Sequence, residues 1–516
     1  MQLKTRAPQM LKNDPSQPEF TNFLLPFEGK LSASNRWVKL AKVMPWQLIE
    51  ACYAESLAGS GMGAPAKLGR MAYGALVIKE RLGVTDEETV EQIKENPYLQ
   101  YFLGLHQYVD KKPFDPSMMV YFRKRFTEEH HQLINSAIID QATEQQSDTC
   151  DDDESSNNES SNNSGKLLID ATCTPADITY PTDLGLLAEA REKSEKFIDI
   201  LHEPNKGVHK KPRTYRQKAR KQHLLVAKQK KPGKRKIRKA IGQQLRYLKR
   251  NLAHIDTMLE NGASLMQLSS YQLRCLQVID TLYHQQLIKY QEGGNSIPDR
   301  IVSISQPHVR PIVRGKASKS TEFGAKISIS HLAGGYVSLD KLSWDSYNEH
   351  SDLPQQIETY KERFGHYPES VHADQIYRTK ANRTYCSERG IRLSAKPLGR
   401  PQKETEVNKE ELKAQRQQLR QDELDRIPVE GKFGNAKRKG TLGRIMAKLS
   451  STSKTVIHIS IIVLNLDKWL KSLFLPSLLA CSEHMKQLID SLLEGLQAAS
   501  ALQGSVTMLG NLQRTA

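Results

Sequence analysis

Apolar positions along the chain change their spacing twice. From Pro45-Trp46 to about residue 140 they recur at helical intervals, with Leu68, Met71, Ala72, Ala75, Leu76 and Ile78 marking one face. Proline suits a first helical turn, so regular structure is expected to start at Pro45. Before it, Pro8, Pro15, Pro18 and Pro26 interrupt any long element. Gly83 closes the first helical segment, and Thr85-Asp86-Glu87-Glu88 opens the next with capping-box spacing. Val90, Ile93 and Tyr98-Leu99 carry its apolar face. Another helix is expected near Asp115-Pro116-Ser117, with Tyr121, Phe122, Arg123, Lys124, Arg125 and Phe126 along it. Residues 184–292 again read as mostly helical.

The strand signals come in a different order. Lys166-Leu167-Leu168-Ile169-Asp170-Ala171-Thr172 is a short apolar run expected to end in its acid. Lys326-Ile327-Ser328-Ile329-Ser330-His331-Leu332 alternates with period two; Gly334-Gly335 turns it, and Tyr336-Val337-Ser338-Leu339 returns. A helix over 352–364 follows, then a strand over 370–374 ending in Asp374. A basic helix, 376–389, bears Arg378, Lys380 and Arg383, and another strand runs from Gly390 to Ala395. After a polar helix over 403–425, Pro428 is expected to open a new helix, leaving Arg426 just outside it. A last helical region, about 455–500, carries Ile461, Ile462, Leu464, Leu470 and Phe474 and is expected to pack on the sheet. Without the 184–300 insertion the order is strand, hairpin, helix, strand, helix, strand, helix. That order predicts an α/β domain on the ribonuclease-H-like plan, a mixed sheet flanked by helices.

Composition divides the chain. Residues 142–165 are acidic, low in complexity and almost free of apolar side chains, so they read as a linker. The expected organisation is an all-α N-terminal DNA-binding domain over 1–141, the linker, a catalytic domain over 166–500 with a basic helical insertion at 184–300, and a tail at 501–516. Net charge is +17, which points to an anionic partner, most simply nucleic acid. Short helices with basic, aromatic-bearing ends in the first domain fit a helix-turn-helix type of head. From Lys210 to Arg250 there are 18 Lys or Arg and no Asp or Glu, interleaved with Tyr215, Leu224, Leu225, Ile237, Leu245 and Tyr247. A folded arm that tracks a phosphate backbone is expected there, binding without regard to sequence and with steep salt dependence. Six cysteines are scattered singly, which argues against a zinc ribbon or a disulfide framework and suits a reducing cytosol. The first residues lack an apolar signal-peptide core, and Val456 to Leu466 is short for a membrane span. A soluble cytoplasmic protein is expected.

In such a sheet, acids at the ends of the first and fourth strands lie side by side, and a third near a following helix closes the set. Here these are Asp170, Asp374 and Glu430. Three carboxylates suit Mg²⁺ or Mn²⁺, hard ions that also take phosphate oxygens, and two such ions can activate an attacking oxygen and stabilise a departing one. Each acid has an adequate local explanation taken singly: a turn aspartate at 170, an N-cap at 374, and a first-turn acid meeting the helix dipole at 430. None of these explains Gly431, Gly434 and Gly440 beside Lys432, Lys437, Arg438 and Lys439; glycines weaken a helix but admit a close DNA backbone. Lys437 falls two helical turns after Glu430 on the same face, in reach of a phosphate flanking the scissile one. His372 reads as a packed histidine, and Cys173 as a small buried side chain.

The Asp170 strand, VRGKASKSTEFGAKISIS, HADQIYRTKANRTYCSERGIRLS and RIPVEGKFGNAKRKGTLGRI together resemble a bacterial insertion-sequence transposase of the DDE superfamily. Arg426, Glu430 and Lys437 match a signature of one branch, Tyr-x2-Arg-x3-Glu-x6-Lys, whose Tyr position is Glu423 here. GVTDEETVEQIKENPYLQYFLG and FDPSMMVYFRKRF resemble the amino-terminal domain of the InsH-like group. The resemblance implies a transposase that binds terminal inverted repeats, cleaves at them and joins the ends to target DNA. It implies catalytic and metal-binding roles for Asp170, Asp374 and Glu430 with two Mg²⁺ or Mn²⁺ ions. DNA contacts would come from Arg426, Lys432, Lys437, Arg438, Lys380 and Arg383, within a homodimer or higher synaptic assembly. The rival expectations are a metal-dependent nuclease on the same fold without strand transfer, and a non-catalytic DNA-binding relic.

Overall fold

The computed structural model describes residues 23–473 apart from 26–28, 58–64, 148–162, 295–296, 314–320, 395–404 and 406–407. Most of the acidic stretch, the segment before Thr321, the tail and the helical expectation beyond 473 lie outside the described residues.

Regular structure begins one helix earlier than expected. In α1 (Arg36–Val43) the Asn35 side chain caps the start by accepting from Trp37 N, and Trp37, Val38, Leu40 and Ala41 are buried. α2 (Trp46–Glu55) starts at the expected proline. α3 (Gly69–Leu82) ends at Gly83, whose φ of 67° is the left-handed turn that favours glycine. Thr85 caps α4 (Asp86–Glu95) by accepting from Glu88 N. α5 (Pro97–Phe102), α6 (Met118–Arg125) and α7 (Glu128–Ser147) complete the N-terminal helices.

A mixed α/β region follows. Strand β1 (Lys166–Pro175) lies at the centre of a six-stranded sheet ordered β2-β3-β1-β5-β6, with β4 also on β3. β3 (Thr321–His331) is antiparallel to β1, pairing Asp170 with Ile329, and β5 (Ser370–His372) and β6 (Arg392–Ser394) are parallel to it. β2 (Arg310–Val313) and β4 (Val337–Ser343) share the outer edge of β3 end to end, β2 pairing 321–324 and β4 pairing 326–331. α12 (Leu353–Phe364) and α13 (Lys380–Glu388) connect the later strands. Asp170 therefore sits in mid-strand rather than at a strand end. β3 keeps pairing with β1 as far as Pro175, and Thr174 donates to the Ala325 carbonyl, so the chain has no reason to turn at the acid.

Two further expectations are corrected. Asp374 is not a helix cap: it precedes a short 3-10 turn, Gln375–Tyr377, without a side-chain capping bond, and Thr379 caps α13 instead. The segments on either side of Pro428 are one helix, α14 (Lys409–Arg438), with Arg426 inside it. An interior proline costs roughly 3 kcal/mol. Val429 and Phe433 are buried immediately after it against Leu168, Ile327 and Ile329 of the sheet. Two such burials contribute about 1.5–3 kcal/mol each, enough to hold the helix through the proline.

The insertion forms its own small bundle. α8 (Asp183–His202), α10 (Lys234–Glu260) and α11 (Ser270–Glu292) bury Leu187, Phe197, Ile198, Leu245, Leu248, Ile279 and Leu282 together, and α9 (Arg216–Ala227) lies on α8 and α10. The N-terminal helices do not stand apart from the sheet. One continuous apolar cluster includes Trp37, Tyr73 and Phe122 from these helices, Leu167, Ile169 and Val371 from the sheet, and Ile459, Ile462 and Trp469 from the last helix, 450–473. Polar ties reinforce it: Glu80 of α3, 5% exposed, accepts from Thr441 N at 2.9 Å, from Thr441 Oγ1 at 2.7 Å and from Ser460 Oγ. Asn135 of α7 donates to the Val337 carbonyl at 3.1 Å and accepts from Asn465 at 2.8 Å.

Candidate active site

Strand register brings two of the expected acids together. Lys166, Leu167 and Leu168 of β1 pair with Ser370, Val371 and His372 of β5. The pairing ends there; Asp170 lies two residues further along β1, and Asp374 two residues past the end of β5. Adjacent strands lie about 4.8 Å apart, so this placement brings the two acids into one neighbourhood. Their electrostatics agree. The Asp170 carboxyl is pushed up to about 6, first by burial and further by Asp374 and Glu349; the Ala171 N–H, 2.8 Å away, and Arg426 oppose the rise. Asp374 is more open, its side chain 52% exposed, and it pairs with the Arg426 guanidinium.

α14 is laid over the same face of β1. Near its middle Asp425 takes Lys166 at 2.7 Å, and towards its end Lys437 donates to Thr172 Oγ1 at 2.8 Å. Twelve helical residues span about 18 Å, and six strand residues about 20 Å, so helix and strand run side by side in one direction. Glu430 lies between those anchors, four residues after Arg426 and seven before Lys437, on one stripe of the helix. It is exposed, and among the described residues nothing engages its carboxylate. Gly434, one turn on, leaves open space: a Cβ there would meet only Arg438, at 3.8 Å, and at Gly431 nothing within 4 Å. Gly440 has a different reason. A Cβ there would lie 2.9 Å from the Ala436 carbonyl and 3.0 Å from Glu80, so internal packing, not an approaching ligand, demands glycine.

The three acids are not gathered into one coordination sphere. Among the described residues, the group whose ligand atoms all lie within 4.8 Å is His372, Asp422 and Asp425, one layer below Asp170 and Asp374. Cations already satisfy its carboxylates. Arg392 grips Asp422 with two bonds of 2.8 and 3.0 Å, and Lys166 holds Asp425. Burial alone would raise the Asp422 carboxyl, but bonds from Arg392, Ser394 and Gln418 hold it down at about 2. His372 is fully buried, donating to or accepting from Ser370 Oγ at 3.0 Å. We read this group as the anchor of α14 on β5 and β6, because a metal there would have to displace both Arg392 and Lys166.

The other expected contact residues divide by flank. Lys380 and Arg383 are exposed on α13, just past Asp374, and Arg438 is exposed near the end of α14. Lys432 is half-buried on the opposite flank, its ammonium brought down to about 8 by burial and by Lys468 and Lys471. Two participants carried no sequence signal. Glu349, in a 3-10 turn before α12, is 3.1 Å from Lys326 and adds to the negative field at Asp170. Tyr377 is buried, its hydroxyl driven far up by burial and then by Glu349 and Asp170.

Comparison with known proteins fits this arrangement. Residues 371–467, which include Asp374 and Glu430, match the transposase DDE domain family, and residues 25–125 match the transposase domain family DUF772. Asp170 lies outside both matched segments. A protein of Rhizobium meliloti described as an uncharacterized protein, ORF8 in the nfe locus, is 38% identical over 90 residues, which cover 17% of this chain and 42% of that protein. No solved structure matches. The two family matches are consistent with an insertion-sequence DDE transposase.

Proposed function

We propose that the chain is the DNA transposase of an insertion sequence, binding terminal inverted repeats and catalysing metal-dependent cleavage and strand transfer. The observation that carries this reading is the nearness of Asp170 and Asp374 just beyond the paired part of β1 and β5, with Asp374 adding to the rise of the Asp170 carboxyl and Arg426 drawn onto Asp374. A site that raises one acid and recruits a guanidinium to its neighbour calls for positive charge. The sheet order, with β5 and β6 parallel to β1 and β3 antiparallel, supports the ribonuclease-H-like plan.

Carboxylate oxygens are the donors that hard divalent cations take, though in this structure the three acids stand apart and Arg426 occupies Asp374. Asp170 and Asp374 would hold Mg²⁺ or Mn²⁺, two ions in the working enzyme, with Glu430 completing the set from α14. When bound, such ions supply charge neutralisation at the attacked phosphodiester and a more acidic attacking hydroxyl. The chain's own residues do the rest. α14 carries Glu430 over β1, Lys437 bonds Thr172 two strand residues beyond Asp170, and Gly431 and Gly434 leave room for a sugar-phosphate strand. Attack by water at the element end would release a 3′-hydroxyl. That hydroxyl would then attack a target phosphodiester, one P–O bond forming as another breaks. Action on two ends implies a homodimer or larger assembly. No helix among the described residues is long and apolar enough to cross a membrane.

The exposed Lys and Arg of α9 and the first half of α10 support a second, sequence-independent grip on phosphates. Lys218, Arg220, Lys221, Lys234, Arg235, Lys236 and Lys239 are all exposed and have no ion-pair partner among the described residues. The deciding experiment incubates the protein with Mg²⁺, a labelled element end and a plasmid. Joined product is expected from the wild type and none from Asp374→Asn, which should still bind the end. Cleavage without joining would favour a nuclease, and normal cleavage by Asp374→Asn would overturn the site.

A further inference from the structure

Two short turns carry acids to the site, and one side chain joins them. The turn Gln375–Tyr377 follows Asp374 directly, with Tyr377 N donating to the Asp374 carbonyl at 3.0 Å. The turn Glu349–Ser351 precedes α12 and carries Glu349. Asn382, in the first turn of α13, reaches both: its Nδ2 donates to the Tyr377 carbonyl and to the His350 carbonyl, each at 2.8 Å. The two turns are therefore held within the span of a single amide group.

The bracket is itself fixed by the start of α13. Thr379 accepts from Asn382 N at 3.2 Å, and Thr379 N donates to the Tyr377 carbonyl at 2.9 Å, so helix start and turn form one unit. Asn382 is only 4% exposed and Tyr377 is fully buried. Removing the amide takes a donor from each carbonyl in a place water does not reach. Asparagine suits the position because one nitrogen supplies both N–H groups; an aspartate of the same shape offers only acceptors.

The acids on the two turns are held by cations from other elements. Asp374 pairs with Arg426, and Glu349 lies 3.1 Å from Lys326. Both acids add to the rise that burial causes in the Asp170 carboxyl, which places them in one field. A metal entering there has to draw Asp374 away from Arg426. It does so at least cost where the backbone beneath the acid is already in place.

We propose that Asn382 is a positioning residue of the active site: it fixes the turn after Asp374 against the turn that carries Glu349, so that the backbone beneath both acids stays in place beside Asp170 when metal binds. This rests on the transposase reading, because it needs Asp374 to take the metal.

The test compares the full chain with Asn382→Ala, Thr379→Val, Asp374→Asn and Asn251→Ala. Asn251 is a buried asparagine of the insertion that donates to Ser194 Oγ at 2.9 Å, and it controls for losing a buried amide outside the site. Mn²⁺ affinity is measured by titration calorimetry without DNA, alongside melting; kcat and KM are then measured on end DNA. Asn382→Ala should bind Mn²⁺ about 10- to 100-fold more weakly, the usual loss when a residue supporting a metal ligand is removed. Its kcat should fall with the KM for DNA unchanged, and excess Mn²⁺ should restore the rate. Thr379→Val keeps the amide but loosens its helix, so it should show a smaller change in the same direction, and it decides the matter if Asn382→Ala does not fold. Asn251→Ala should melt lower yet bind Mn²⁺ like the wild type. Wild-type Mn²⁺ affinity and kcat in the Asn382→Ala and Thr379→Val variants would reduce Asn382 to a packing role and overturn the proposal. An equal loss of affinity in Asn251→Ala would trace the effect to stability and overturn it as well. If Asp374→Asn loses Mn²⁺ while the Asn382 and Thr379 variants keep it, only this proposal fails; Asp374→Asn binding Mn²⁺ like the wild type removes the active-site reading with it.

Discussion

Arg426 donates a hydrogen bond to the Asp374 carboxylate, joining the middle of α14 to the end of β5 across 52 positions of sequence. The guanidinium thus stands where the acid pair needs a cation. It competes with any metal for Asp374, and the pair is open enough to water for the competition to be mild.

Arg426→Gln should therefore bind Mn²⁺ about three- to tenfold more tightly than the wild type. Titration calorimetry on the DNA-free protein checks this. Equal or weaker Mn²⁺ binding by the variant would show that Arg426 orders the site rather than occupying it.

Asp170 makes the metal-free protein sensitive to pH. Its carboxyl titrates at about 6 in the fold against an ordinary 3.8. The folded state therefore holds the proton more tightly, so this group's contribution is fully present below about pH 4 and is lost as pH rises through 6. The loss is on the order of 2–3 kcal/mol. Asp170→Asn, which cannot ionise, should melt higher than the wild type at pH 8 without metal and nearly equal to it at pH 4. Parallel melting curves across that range would contradict the shift.

Pro428 interrupts the hydrogen-bond ladder of α14 beside the third acid. Replacing it with alanine should stabilise the protein by about 1–3 kcal/mol, the helix-interior cost of proline less the entropy returned to the unfolded chain. Denaturant unfolding measures the gain. A loss of stability would mean that the proline sets a backbone shape the packing of Val429 and Phe433 requires.

On the insertion, changing Lys234, Arg235, Lys236 and Lys239 together to glutamine should leave folding intact, since all four are exposed. Affinity for random-sequence duplex should fall, and the slope of log affinity against log salt should flatten by as much as about 3.6. An unchanged slope would make this face a solvated surface only.

Much of this was legible in the residues because it is local. Gly83 stops a helix by its own backbone preference, Thr85 caps the next, and the alternation at 326–332 marks a strand, whose polar Ser328 and Ser330 are buried along with its apolar positions. The failures share a cause: a distant partner overrides the local signal. Asp170 looked like a strand end because acids rarely continue strands, but β3 pairs straight past it. Pro428 looked like a helix start because nothing nearby announces the sheet face that holds α14 through it. Glu349 had no signal, since its nearness to Asp170 depends on how two 3-10 turns meet.

The shared core of the N-terminal helices and the sheet has a mechanical meaning. Glu80 bound to Thr441 and Ser460, and Asn135 bound to Asn465 and Val337, leave α3 and α7 no freedom to swing relative to β1. If α1–α7 hold the end of an element, the interval from recognised bases to the cut is measured by a rigid gauge rather than by a tether. Lengthening the acidic stretch at 148–162 should then leave the cut at the same nucleotide, because chain length there does not set the distance.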